Sequence, residues 1–86
     1  MKGKSGIQPR ILVIDADWLF LEILQFHLER SGYRVVTVAD PKVGINEAIE
    51  QQFDLMLLDL MMTGMNGEEV LSLLKPLTPQ RRVYVY

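Results

Sequence analysis

Cysteine is absent from the 86 residues, which excludes disulfide staples and thiolate metal sites and fits a reducing compartment. An excess of one charge is lacking too. Nine Lys and Arg stand against eleven Asp and Glu, a formal net charge of -2, so nothing offers the basic footprint of a nucleic-acid binder. Long apolar runs are missing as well. The two most apolar stretches, Ile11 to Ile14 and Leu55 to Met62, fall far short of the roughly 20 residues of a spanning helix, and Asp59 interrupts the second. The chain therefore reads as soluble, with a cytoplasmic location expected. There is no internal repeat and no low-complexity stretch. What is present is a 49% apolar composition, that of a folded chain rather than a disordered one. Its length suits one domain that buries only about 60% of its unfolded surface.

The opening Met1 to Pro9 is rich in Lys, Gly and Ser and reads as a flexible tail, leaving 10–86 as the domain. Arg10 to Ile14 is a β-branched run too short for a helix and predicts a buried strand. From Trp18 to Arg30 the spacing of Phe20, Leu21, Leu24 and Leu28 is helical, with Asp17 as N-cap and Ser31-Gly32 as stop. Val35 to Val38 is a second strand. Asp40-Pro41 opens a second helix reaching Gln51 or Gln52, weakened at Gly44. Leu55 to Leu58 is a third strand. Asn66 and Glu69 resemble a capping box for a short helix that Lys75-Pro76 ends, and Arg82 to Tyr86 is a last strand. The order βαβαβαβ, with strands apolar on both faces, predicts an α/β fold. The expected form is a flavodoxin-like doubly wound parallel sheet, incomplete, with four strands in the order 2-1-3-4.

In such a sheet ligands bind outside the carboxyl ends of the strands. Asp15 closes the first strand and Asp59 the third, with Asp17 a turn away. Crowded carboxylates repel unless a cation sits among them, and oxygen-only donors open to water suit Mg²⁺. The residues Ile11-Leu12-Val13-Ile14-Asp15, the strand end Leu57-Leu58-Asp59 and the loop Met61-Met62-Thr63-Gly64-Met65-Asn66-Gly67 together resemble the receiver domain of two-component response regulators. The resemblance runs from Arg10 to Tyr86. It implies that Asp59 is a phosphoacceptor taking a phosphoryl group from the phosphohistidine of a sensor histidine kinase. Mg²⁺ would be held by Asp15, Asp59 and the Met61 backbone carbonyl, with Asp17 as a further candidate. Gly67 would match the family's loop glycine. The chain would be a signalling module rather than an enzyme, acting on an output domain or protein.

The chain departs from the family pattern at three places. Ala16 stands where a second adjacent acid usually contacts the metal, which predicts weakened Mg²⁺ binding, and Thr63 stands where Pro is common. The switch Ser or Thr, strand-end Lys and last helix that follow the fourth strand in the family have no counterpart in these 86 residues. Removing such donors costs on the order of 3 kcal/mol of transition-state stabilisation each. On a helical wheel, Phe26, Leu19, Arg30, Ile23, His27, Phe20, Leu24, Leu28 and Leu21 form an arc of roughly 220°, against the 100° or so of one core stripe. The surplus around Ile23, Phe26 and Leu19, with the unpaired edge of Val83 to Tyr86, predicts a homodimer or strand-exchanged oligomer.

Other readings accompany these. A strand-end aspartate such as Asp59 can simply cap a turn, and Asp17 can simply cap its helix. His27 lies at the margin of an apolar arc with no acid in its turn, which suits a structural role. The five methionines suit gap-filling, and Trp18 beside the acidic turn is a natural reporter. Two alternatives to phosphoacceptance remain open: a phosphorylation-inactive interaction or dimerisation module, and a fragment of a haloacid-dehalogenase-like phosphatase using Asp15 and Asp17. The phosphatase reading predicts Thr or Val where Leu19 stands, and an irregular turn where Trp18 begins a helix.

Overall fold

The structure, a computed structural model, describes residues 8–59, 61, 66–77 and 82–86. Seven elements follow in the expected order: β1 (Arg10–Ile14), α1 (Trp18–Arg30), β2 (Arg34–Val38), α2 (Pro41–Glu50), β3 (Leu55–Leu58), α3 (Gly67–Leu77) and β4 (Arg82–Val85). All strand pairings are parallel, in the order β2-β1-β3-β4. Ile14 of β1 lies level with Val38 and Leu58, and Leu58 with Val85. This is the flavodoxin-like strand order expected from the sequence.

The helix ends are set by local chemistry. Asp17 caps α1 by accepting from the Leu19 and Phe20 amides (3.1 and 3.2 Å), and Asp40 caps α2 by accepting from Lys42 N (2.8 Å), with Pro41 at its first turn. At the far end of α1, Gly32 takes φ 98°, and the amides of Gly32 and Tyr33 donate to the Glu29 and Leu28 carbonyls. That is a Schellman closure, which needs a residue at ease in the left-handed region. Asn66 and Glu69 form the capping box in full: Glu69 N donates to Asn66 Oδ1 (2.9 Å) and Asn66 N to Glu69 Oε1 (3.3 Å). The expected stop at Lys75-Pro76 is not where α3 ends; the helix carries Pro76 inside and runs to Leu77. A proline near a helix end removes one donor, here to Ser72, and that residue is exposed, where water can satisfy its carbonyl. Pro9, assigned to the tail by composition, accepts from Arg34 N (2.9 Å) and lengthens the β1–β2 ladder.

Alternation along β1 feeds two cores. Leu12 and Ile14 join Val38, Ala48, Phe53, Met56, Leu58, Val70 and Leu74 beneath α2 and α3, while Ile11 and Val13 join Leu21 beneath α1. The helix α2 approaches the sheet at Gly44, where an added Cβ would stand 2.6 Å from Ile14 Cδ1 and 2.9 Å from Cγ1. On the other face α1 is the one helix among the described residues, and it packs on β1 and β2. Leu55 and Leu57 stay partly exposed there, and Trp18, Leu19, Ile23 and Phe26 are each more than half exposed. The surplus arc of α1 thus remains in solvent.

Candidate functional site at the carboxyl edge of the sheet

The parallel register carries Asp15 and Asp59 to the same edge. Each follows the last residue of its strand, and those last residues, Ile14 and Leu58, are partners. Asp59 N donates to the Ile14 carbonyl (3.0 Å) and Asp15 N to the Val38 carbonyl (3.1 Å), so the ladder continues through both acids. Their backbones are therefore about one strand spacing apart, near 4.8 Å. Because Ile14 and Leu58 point toward α2 and α3, the next residues turn to the α1 side of the sheet.

Asp15 is buried, with 6% of its surface exposed. Its Oδ1 accepts from Asp17 N (2.8 Å) and its Oδ2 from the hydroxyl of Tyr86 (2.6 Å). Asp59 is half-buried, and its Oδ1 accepts from Met61 N (3.0 Å), an Asx turn that begins the following loop. Among the described residues no lysine or arginine is ion-paired with either acid. Two adjacent carboxylates without a balancing cationic side chain, offering only oxygen donors beside exposed Met61, fit a hard divalent cation.

Asp17 is brought near but is engaged elsewhere, because its Oδ1 holds the first amides of α1. No group of three or more His, Asp or Glu side chains that could hold a metal comes together among the described residues. Ala16 is exposed at the turn, and Met61, also exposed (86%), follows Asp59 closely. Gap-filling therefore describes Met56, which is fully buried, and not the exposed Met61. Thr63, Gly64, Met62 and Met65 lie outside the described residues. His27 is exposed in the last turn of α1, edge-on to Phe26 at 5.4 Å, and lies away from the acids.

Tyr86 is the site residue that sequence reasoning missed. Its amide donates to the Leu58 carbonyl (3.0 Å), which brings the residue just beyond β4 level with Asp59. Its ring packs on Phe20 at 6.0 Å. Desolvation pushes the phenol pKa well above its ordinary value; the hydrogen bond to Asp15 adds to this, followed by the negative charges of Asp15 and Asp59. The strand-like run Arg82 to Tyr86 was available in the sequence, and Val83 packs against the α2–α3 core, but a role for the Tyr86 hydroxyl was not, since its partner is 71 residues away.

A cleft of about 430 Å³ lies at the opposite end of the sheet, lined by residues that include Arg10, Tyr33, Arg34 and Gln51. It sits at the amino ends of β1 and β2, where parallel sheets do not bind their ligands, and Arg10 is bound there to Gln51.

The sequence pattern of the response regulator receiver domain matches residues 11–86. The chain is 38% identical over 69 residues to the alkaline phosphatase synthesis transcriptional regulatory protein PhoP of Bacillus subtilis, covering 80% of this chain and 29% of that protein. It is 37% identical over 67 residues to the transcriptional activator protein PfeR of Pseudomonas aeruginosa, covering 78% and 22%. The chain thus spans less than a third of either relative. Among solved structures, a CheY-like receiver domain protein from Methanospirillum hungatei superimposes with a TM-score of 0.90 at 29% identity, over 92% of this chain and 63% of that one. A response regulator from Burkholderia pseudomallei, solved with a phosphorylated aspartic acid, calcium ion and citrate, gives 0.86 at 28%, over 91% and 46%. These matches leave no place for the dehalogenase-like alternative, whose irregular turn is also excluded by α1 beginning directly after Asp17. The chain belongs to the response regulator receiver domain family.

Proposed function

We propose that this chain is the phosphoacceptor module of a two-component relay, with Asp59 receiving a phosphoryl group from the phosphohistidine of a sensor histidine kinase. The observation that carries the reading is the placement of half-buried Asp59 beside buried Asp15 at the carboxyl edge of the parallel sheet. A carboxylate is already ionised at neutral pH and needs no base. An Asp59 oxygen attacks phosphorus; as the P–O bond forms, the P–N bond breaks and its electron pair returns to the imidazole. The Met61 amide, donating to Oδ1, fixes the orientation of the carboxylate. Asp15, Asp59 and the Met61 carbonyl would hold Mg²⁺, which when bound offsets charge on the phosphoryl oxygens. The phosphorylated aspartate and the calcium ion in the Burkholderia pseudomallei protein support this reading. Ala16 supplies no side-chain oxygen at the turn, so cation affinity is modest.

The partners that follow are a sensor kinase, an output domain or protein, and a second copy of this chain. Trp18, Leu19, Ile23, Phe26 and Tyr84 are each more than half exposed, and at 150–250 Å² for a large side chain they present on the order of 450 Å² of apolar surface. A standard interface of about 800 Å² per partner, some 57% apolar, needs about that much.

The test is incubation with Mg²⁺ and acetyl phosphate, following intact mass and Trp18 fluorescence. We expect a gain of one phosphoryl group that Asp59→Asn abolishes. No gain would leave the inert interaction module as the better reading, and a gain retained by Asp59→Asn would overturn Asp59 as the acceptor.

A further inference from the structure

Asp15 has both oxygens engaged: Oδ1 by the Asp17 amide and Oδ2 by the Tyr86 hydroxyl. The second contact, at 2.6 Å, has the length of a charge-assisted O–H···O bond, the strong class. With 6% of Asp15 exposed, the carboxylate has little room for a third partner. A cation bound directly at Oδ2 would have to enter the space that the phenol fills, because so little of Asp15 is open, and a cation-bound water would have to donate where the phenol donates. Either way the hydroxyl and the cation want the same oxygen.

Nothing in the buried clusters holds the ring. Tyr86 is 48% exposed, its ring partner Phe20 is exposed as well, and neither belongs to the buried clusters. The backbone of Tyr86 is held by the hydrogen bond its amide donates to the Leu58 carbonyl, so rotation about the side chain alone frees Asp15. We propose that the Tyr86 hydroxyl competes with a divalent cation for Asp15, and that the ring must leave the edge before the cation is held. This deepens the phosphoacceptor reading and rests on Asp15 being part of the cation site. The phenol is then the resident donor that satisfies a buried carboxylate while the cation is away, and it sets a threshold of cation concentration for the site.

Calorimetric titration of Mg²⁺ into the wild-type chain, Tyr86→Phe and Asp15→Asn tests it. A hydrogen bond to a charged group is typically worth more than tenfold in an equilibrium, less where water can replace it. We therefore expect Tyr86→Phe to bind Mg²⁺ about three- to tenfold more tightly, and Asp15→Asn to lose binding. Saturating Mg²⁺ should also abolish the Tyr86–Phe20 ring contact seen by nuclear Overhauser effects in the wild type. An unchanged or weaker affinity in Tyr86→Phe, or a ring contact that survives saturation, overturns the competition while loss of binding in Asp15→Asn upholds the cation site. Absence of binding in all three chains overturns the site and the competition together.

Discussion

Replacing Gly44 by alanine sets two opposed effects against each other. Alanine gains about 1 kcal/mol over glycine in a helix interior. The new Cβ, however, would stand 2.6 Å from Ile14 Cδ1, 2.9 Å from Cγ1 and 3.4 Å from Cγ2. Ile14 is fully buried and β-branched, so its side chain cannot swing clear, and overpacking of this kind costs about 1–3 kcal/mol. The expected balance is a loss of about 1 kcal/mol, a fall in Tm of about 4–8 °C for a domain of this size, measured by thermal unfolding followed by circular dichroism. A double-mutant cycle isolates the cause. Ile14→Val removes the methyl nearest the new Cβ, so its usual cost of about 0.5–1.5 kcal/mol should shrink or vanish in the Gly44→Ala background. A Gly44→Ala chain more stable than wild type, or strict additivity with Ile14→Val, would refute the claim that close approach of α2 to β1 demands glycine. The contact matters for the site because the Ile14 carbonyl receives the Asp59 amide.

Other outcomes follow from the same geometry. Asp17→Ala should cost about 1 kcal/mol through loss of the α1 cap while leaving Mg²⁺ affinity unchanged in calorimetry; a large loss of affinity would make Asp17 a ligand. Ile23→Glu on the exposed face of α1 should leave the unfolding free energy of the monomer within about 0.5 kcal/mol of wild type and abolish self-association in sedimentation equilibrium, and a dimer that persists would move the interface elsewhere. The raised phenol pKa of Tyr86 means that the folded state holds this proton more tightly than the unfolded chain does. Its contribution is intact below the ordinary phenol pKa of about 10 and declines as pH rises beyond it. Tyr86→Phe should therefore flatten the fall in Tm between about pH 9 and 11, and an identical slope in both chains would refute the buried contact.

Much of this protein was readable from the chain alone because the deciding interactions span five residues or fewer. The Asp17 and Asp40 caps, the Asn66–Glu69 box and the Gly32 closure are bonds between near neighbours, and the strands declared themselves by runs apolar on both faces. The tertiary structure decided what depends on register between distant segments. Parallel pairing of β1 with β3 brings Asp15 and Asp59 to one edge, and pairing of β3 with β4 carries the Tyr86 hydroxyl to Asp15 across 71 positions. Pro76 shows the limit from the other side, since its effect on α3 turned on whether one carbonyl faced water, a matter of burial rather than residue type. Local hydrogen bonds and apolar periodicity are written residue by residue; which carboxylate meets which hydroxyl is fixed only when the sheet closes its order.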